Sequence, residues 1–240
     1  MRSILVLTLA LAPAVAGAQT IGGDSGLYGR VSGGVSFTPD IDVSRTFDPE
    51  RIFLNPPPSA LEIETSQSWS AGAAVGYDFT GPFRAEVEYR YIRSGVDQVT
   101  PLDGFSPEIE GVPPPLPVDE GGFGVHAVLA NAVLAPQARI GPFQPFVSAG
   151  AGAARIAERG GLTFGLLGDR ADWSPAFQGR VGLSAPVSNS ASVSLDYAYL
   201  RTLDLQFGAD SFPDPSGVIF REDVDGLGIS TISLSFEKRF

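Results

Sequence analysis

The run Arg84-Ala85-Glu86-Val87-Glu88-Tyr89-Arg90-Tyr91 places two acids and two bases at every second position. Two neighbouring carboxylates can serve as acid and base, as in glycoside hydrolysis, when their surroundings push their proton affinities apart. Here each acid stands two residues from a base, an arrangement better suited to ion pairing than to proton transfer. Nucleophilic chemistry is poorly supplied: the chain has no cysteine and one histidine, His126. A Ser–His–acid site would have to use His126, and no G-x-S-x-G elbow accompanies it. The absence of cysteine also excludes disulfide scaffolds and thiolate metal sites, and one histidine leaves little for a His-rich centre. No stretch has the D-x-[DN]-x-[DN]-G spacing of a calcium loop. The residues therefore predict no catalytic group, no metal and no cofactor.

What the alternation does predict is a strand with two different faces. Phe83, Ala85, Val87, Tyr89 and Tyr91 share one face, and Arg84, Glu86, Glu88 and Arg90 the other. An earlier stretch sets Leu27, Gly29, Val31, Gly33, Val35 and Phe37 against Tyr28, Arg30, Ser32, Gly34 and Ser36. Another sets Trp69, Ala71, Ala73, Val75, Tyr77 and Phe79 against small residues and Asp78. Residues 143–156, 176–185, 191–203 and 226–240 read as further strands. Residues 123–134 read as one whose facing stays open, because His126 and Asn131 have opposite parity. Segments 87–94 and 195–202 echo one another, Val-Glu-Tyr-Arg-Tyr-Ile-Arg-Ser against Leu-Asp-Tyr-Ala-Tyr-Leu-Arg-Thr.

Eight such segments, an even number, fit a closed antiparallel barrel whose apolar faces meet lipid and whose polar faces line the bore. A soluble sandwich would alternate too, with its charges in water. The inverse arrangement is favoured by aromatics at strand ends, a pattern expected of girdles at two membrane interfaces: Trp69, Tyr77, Phe79, Phe83, Tyr89, Tyr91, Tyr197 and Tyr199. Inward groups are then Arg30, Asp78, Arg84, Glu86, Glu88, Arg90, Arg180, Asp196, Glu237 and Arg239. They form either a salt-bridged plug or the gate of a thin water path, since an eight-stranded bore is just wide enough for side chains to fill. The apolar fraction, 43%, becomes an outer belt and not a core.

The connectors alternate in length. Residues 80–82, 135–141 and 186–190 are tight, whereas 38–65, 95–122, 157–173 and 204–225 exceed ordinary loops, with prolines clustered at Pro56–Pro58 and Pro113–Pro117. Short turns at one end and long loops at the other place the long loops outside the cell. The four long loops carry net charges of −4, −6, −1 and −5, against −11 for the whole chain. That charge is either ordinary solvated surface or a means of meeting divalent cations and excluding anionic partners at a lipopolysaccharide surface. An acidic chain with 27 acids to 16 bases is no nucleic-acid binder.

Residues 1–18, with Arg2, an apolar run and Ala16-Gly17-Ala18, have the pattern of a signal peptide cleaved before Gln19. The expected organisation is a signal peptide at 1–18 and one barrel domain over 19–240. The chain ends Ile232-Ser-Leu234-Ser-Phe236-Glu-Lys238-Arg-Phe240. With the 84–91 motif and the glycine-punctuated strands, this ending resembles the small outer-membrane β-barrel family of opacity-type and OmpA-like transmembrane barrels. The resemblance implies an eight-stranded barrel in the cell outer membrane, inserted by the barrel-assembly machinery through Phe240, Phe236, Leu234 and Ile232. It implies surface roles such as adhesion or envelope integrity, or narrow porin-like permeation. Lipid, lipopolysaccharide and an extracellular partner for the loops are the expected contacts. Lys238 departs from the usual apolar pattern and is expected to snorkel towards headgroups. With no peptidoglycan-binding domain after Phe240, cell-wall tethering is not expected.

Overall fold

The computed structural model describes residues 25–47, 60–66, 68–79, 81–102, 116–159, 171–203, 205–207 and 220–240. The signal peptide, Pro56–Pro58, Pro113–Pro115 and nine of the 21 acids of the four long loops lie outside the described residues. Twelve antiparallel strands follow in order: β1 Gly26–Phe37, β2 Ile41–Phe47, β3 Ala60–Thr65, β4 Ser68–Asp78, β5 Phe83–Pro101, β6 Leu116–Leu134, β7 Gln144–Arg159, β8 Ala171–Pro186, β9 Ala191–Thr202, β10 Leu205–Phe207, β11 Phe220–Val224 and β12 Gly228–Arg239. Eight of them, β1, β4, β5, β6, β7, β8, β9 and β12, pair in sequence, and β1 pairs with β12 to close the ring.

The pairing gives the tilt. On the outer face, neighbours run from Phe83 to Leu134, Val147, Val181, Tyr197, Ile232, Val35 and Trp69. The next partner, back on β5, is Arg93, ten residues beyond the start. A stagger of that size over eight strands tilts each by about 40° to the barrel axis. Every residue on this circuit before Arg93 is apolar or aromatic. Val87 and Val181, at mid-belt, are 59% and 53% exposed. A soluble protein would not leave such a continuous apolar exterior in water.

Two of the short turns need glycine. Gly81 (φ 119°) lies between β4 and β5 and Gly141 (φ 62°) between β6 and β7, both in the left-handed region. Inside the bore, Tyr28 lies across from Gly76 and Phe146 across from Gly182. Each ring occupies the place where a Cβ on its glycine would stand, which explains two of the glycines in the strands.

Three expectations change. The first and fourth long loops are not wholly irregular. β2, β3, β10 and β11 carry the walls of β1, β4, β9 and β12 beyond their breaks, in the order β10-β11-β2-β3-β5. β5 and β6 likewise run on to Pro101 and start at Leu116, well inside the second loop. Extended backbone next to a barrel rim has unpaired N–H and C=O groups, and continuing the ladder satisfies them. Second, the facing of β6 is settled: Asn131 is buried in the bore and His126 is on the outer side. Third, the apolar residues are not all in the belt. Ile92, Val125, Leu129, Ile156, Leu200 and Ile229 point inward and form a buried cluster in the long-loop half of the bore.

The outer belt yields a depth-dependent prediction. Val87→Arg, at mid-belt, should cost about 2–4 kcal/mol of folding free energy in vesicles, and Phe83→Arg, at the rim, about 0–1 kcal/mol. Urea unfolding of bilayer-inserted protein measures both. Equal costs at the two positions would contradict the assigned lipid depth.

Candidate functional site

Because strand side chains alternate, Glu86 and Glu88 must both enter the bore once Val87 faces out. Within a barrel there is little water to solvate them, so each needs several donors. Glu86 Oε1 accepts hydrogen bonds from Arg30 Nη2 (2.8 Å), Arg180 Nη2 (2.6 Å) and Asn131 Nδ2 (3.1 Å), and Oε2 accepts one from Tyr28 Oη (3.1 Å). Glu88 Oε1 accepts a forked pair from Arg90, Nε at 3.0 Å and Nη2 at 2.7 Å. Its Oε2 accepts from Asn131 Nδ2 (2.8 Å) and Gln178 Nε2 (3.2 Å) and lies 3.3 Å from Arg30 Nη2. Glu86 and Glu88 stand on β5, while their donors come from β1, β5, β6 and β8. The network therefore crosses the bore instead of running along one wall.

A second cluster sits nearer the short turns. Arg84 Nη1 bonds both oxygens of Glu237 (3.2 and 3.3 Å), and its Nε is 3.4 Å from Asp78 Oδ2. Arg239 Nη2 is 2.7 Å from the same Asp78 oxygen. Rings close the remaining space: Arg84 stacks over Tyr28 and Arg180 over Phe146, 5.7 and 5.5 Å from the ring centroids. Asp196 is the exception among the acids. Buried, it accepts one side-chain bond, from Ser235 Oγ (3.2 Å), and its Oδ2 has no hydrogen-bond partner. The ten inward groups comprise five acids and five arginines, so their charges balance.

Above the ionised layers stands the apolar cap formed by the inward cluster of Ile92, Val125, Leu200 and Ile229, with Leu129 beside Glu88 at its lower edge. Beside it, hydroxyls pair across strands, Ser36 with Thr231 (2.9 Å) and Ser68 with Ser94 (2.7 Å). A small cavity of about 30 Å³ lies below, among Tyr28, Arg84, Gln144, Phe146 and Glu237; its lining reaches no higher than Arg30, Glu86 and Arg180.

All ten sequence-expected inward residues are in the bore, in these two connected clusters plus Asp196. The aromatic positions divide. Tyr77, Phe79 and Phe83 are outward near the short turns, with Tyr77 and Phe79 edge to face at 5.1 Å. Trp69, Tyr89, Tyr91 and Tyr199 are outward towards the long loops, with Trp69 and Tyr91 in edge contact at 5.4 Å. Tyr197 lies between Val181 and Ile232 in the middle of the belt, where its hydroxyl meets Ser230 Oγ (2.9 Å). Ile232, Leu234 and Phe236 face outward along β12, and Phe240, 84% exposed, is held by its N–H on Leu27 O (3.0 Å) at the closing seam. His126 is outside the bore: Tyr89 Oη lies 2.8 Å from its Nδ1, and the Tyr91 ring is 4.8 Å away.

Sequence reasoning did not single out Tyr28, Asn131, Gln178 and Phe146. Tyr28 and Gln178 share parity with Arg30 and Arg180, so the pattern held their positions. Asn131 became readable only with His126 assigned outward, and nothing in the alternation marked the apolar cap.

No protein-family model and no curated protein matches the chain. Solved structures do. The outer membrane protein OprG from Pseudomonas aeruginosa is similar over 90% of this chain and 97% of its own, at 14% identity and a TM-score of 0.53. Neisserial surface protein A covers 91% of this chain and 100% of its own (13% identity, TM-score 0.49). The outer membrane protease OmpT from Escherichia coli covers 92% and 100% (11% identity, TM-score 0.45). The likeness to OprG, the one of these three with a TM-score above 0.5, shows fold, and fold does not assign activity. The chain has the fold of the outer-membrane β-barrels, with the exterior of a protein set in a bilayer.

The network makes its own prediction. Glu86→Ala or Glu88→Ala leaves arginines buried without their partner and should cost about 3–5 kcal/mol in vesicle unfolding. Asp196→Asn removes a charge with one hydrogen bond and should cost less than about 1.5 kcal/mol. Equal losses at Glu86 and Asp196 would overturn this ranking.

Proposed function

We propose that this protein is a surface protein of the outer membrane of a Gram-negative bacterium. Its barrel is a closed anchor, and its long acidic extracellular loops do the work, in a structural or adhesive role. The observation that carries the reading is the double filling of the bore, by a cross-bore ion-pair network and by an apolar cap above it. Ions must shed water to pass an apolar constriction, and such constrictions gate by dewetting. A charge-balanced network below offers no excess of either sign to draw them in. Catalysis is given no part: His126 stands on the outer surface against Tyr89 and Tyr91, and Glu86 and Glu88 are both occupied by arginines.

The alternative, a narrow porin-like channel for small solutes, has one observation in its favour, the cavity in the short-turn half of the bore. Single-channel recording in planar bilayers separates the two. The closed anchor gives no discrete conductance steps, and removal of a cap residue, Ile92→Gly, leaves it silent because the ion-pair layer below is intact. Reproducible steps from the unaltered protein would replace the anchor by the channel. For the loops, cells displaying the protein with residues 48–59 and 103–115 replaced by short Gly-Ser linkers should lose surface attachment while keeping the barrel. Undiminished attachment would remove the adhesive role.

A further inference from the structure

The outward face of the barrel strands carries few charges, and three of them gather at one level. Arg93 on β5, Arg155 on β7 and Arg201 on β9 are all exposed. One circuit of the barrel climbs ten residues over eight strands, a little over one residue per strand. From Arg93 the register passes to Gly124 and on to Ala157, two strands away and therefore about two residues higher. The position on β7 level with Arg93 is thus Arg155. The same construction from Arg155 through Trp173 brings Arg201 within about two residues of that level. The three stand on alternate strands, about 10 Å apart across the sheet. They form an arc on one side of the barrel; on the other side that level holds Phe37 and Trp69.

Their neighbours are aromatic. Arg93 pairs in register with Trp69, Arg155 with His126 on one side and Trp173 on the other, and Arg201 with Phe177. The arc thus sits at the upper edge of the apolar belt, roughly 20–25 Å above the Phe83 rim. Among the described residues none of the three has an ion-pair partner within 4 Å. The first described acid above Arg93 on the outer face of β5 is Asp97. Three unmatched guanidiniums at the lipid boundary of an otherwise acidic protein are complementary to an anion of the membrane itself. The planar guanidinium fork suits the oxygens of a phosphate better than any other lipid group.

We propose that Arg93, Arg155 and Arg201 form a binding arc for the phosphate groups of an outer-leaflet glycolipid of the lipid A type. This rests on the outer-membrane reading above and gives the expected lipopolysaccharide contact a definite site on the barrel wall. The three arginines share the two phosphates from the side, with the neighbouring rings covering the sugars and the belt below holding the acyl chains.

The test uses the full chain folded in nonionic detergent and native mass spectrometry with three probes: diphosphorylated lipid A, enzymatically dephosphorylated lipid A, and inorganic phosphate. The expected result is at least tenfold better retention of the diphosphorylated form, unaffected by millimolar inorganic phosphate. The Arg93→Gln/Arg155→Gln/Arg201→Gln variant should lose that preference. Lys238→Gln, at the other rim, should keep it, and the triple arginine-to-lysine variant, which holds the charge without the fork, should retain only part of it. Equal retention of the two lipid forms, an unaltered preference in the glutamine variant, or full competition by inorganic phosphate would each overturn the proposal. Should the glutamine variant fail to fold, the lipid comparison on the unaltered protein decides. Heat-dependent gel migration, read in parallel, keeps the two readings apart. A barrel that forms without lipid discrimination sinks the arc alone, whereas a chain that never shifts its migration sinks the outer-membrane reading.

Discussion

A charge inside a barrel that is itself inside a bilayer has nowhere to go for solvation except to other side chains of the same barrel. Glu86 and Glu88 bring that constraint into the bore because they alternate with Ala85, Val87 and Tyr89, whose burial in lipid is favourable. Once β5 is oriented by its apolar face, two carboxylates stand in the lumen and need cationic donors from across it. Arg30 on β1 and Arg180 on β8 supply them at 2.8 and 2.6 Å. The ion pairs therefore tie β5 across the bore to β1 and β8, strands that the ladder itself does not join to it.

The stagger of the strands turns this local pairing into levels. Because the register climbs about ten residues in one circuit, residues far apart in sequence share a height. The lower cluster of Asp78, Arg84, Glu237 and Arg239, the central network and the apolar cap are successive tiers of the same bore. Outside, the same geometry puts aromatic residues at two rims and Arg93, Arg155 and Arg201 at one. A closed lumen leaves the loops and this rim as the surfaces through which the protein can meet anything else.

Much of this is legible in the residues, since period-two alternation is a direct consequence of strand geometry. The barrel and the inward parity of Arg30, Asp78, Arg84, Glu86, Glu88 and Arg90 follow from Leu27–Phe37, Trp69–Phe79 and Arg84–Tyr91 read as two-faced strands, and the same alternation in 176–185, 191–203 and 226–240 gives Arg180, Asp196, Glu237 and Arg239. What alternation cannot convey is identity along the inner face. Ile92, Val125 and Leu200 are apolar residues on inward parity, and a rule that sends apolar residues to lipid hides them. β6 shows the same limit: with small or apolar residues on both faces, its facing is decided by the Tyr89–His126 contact and the Asn131–Glu88 bond, both tertiary. The wall extensions β2, β3, β10 and β11 were obscured for another reason. They are short, lie in acidic proline-containing segments, and form because a ladder is already present to be continued.

The central claim, that carboxylates on β5 are held by arginines from across the bore, is tested most directly by a double-mutant cycle on Glu86 and Arg180. The single variants Glu86→Ala and Arg180→Ala and the double variant would be unfolded with urea from vesicles. The account predicts strong non-additivity, a coupling of about 1.5 kcal/mol or more, with the double variant little worse than either single. Additive losses, with a coupling near zero, would mean that the two side chains do not depend on one another, and would contradict it.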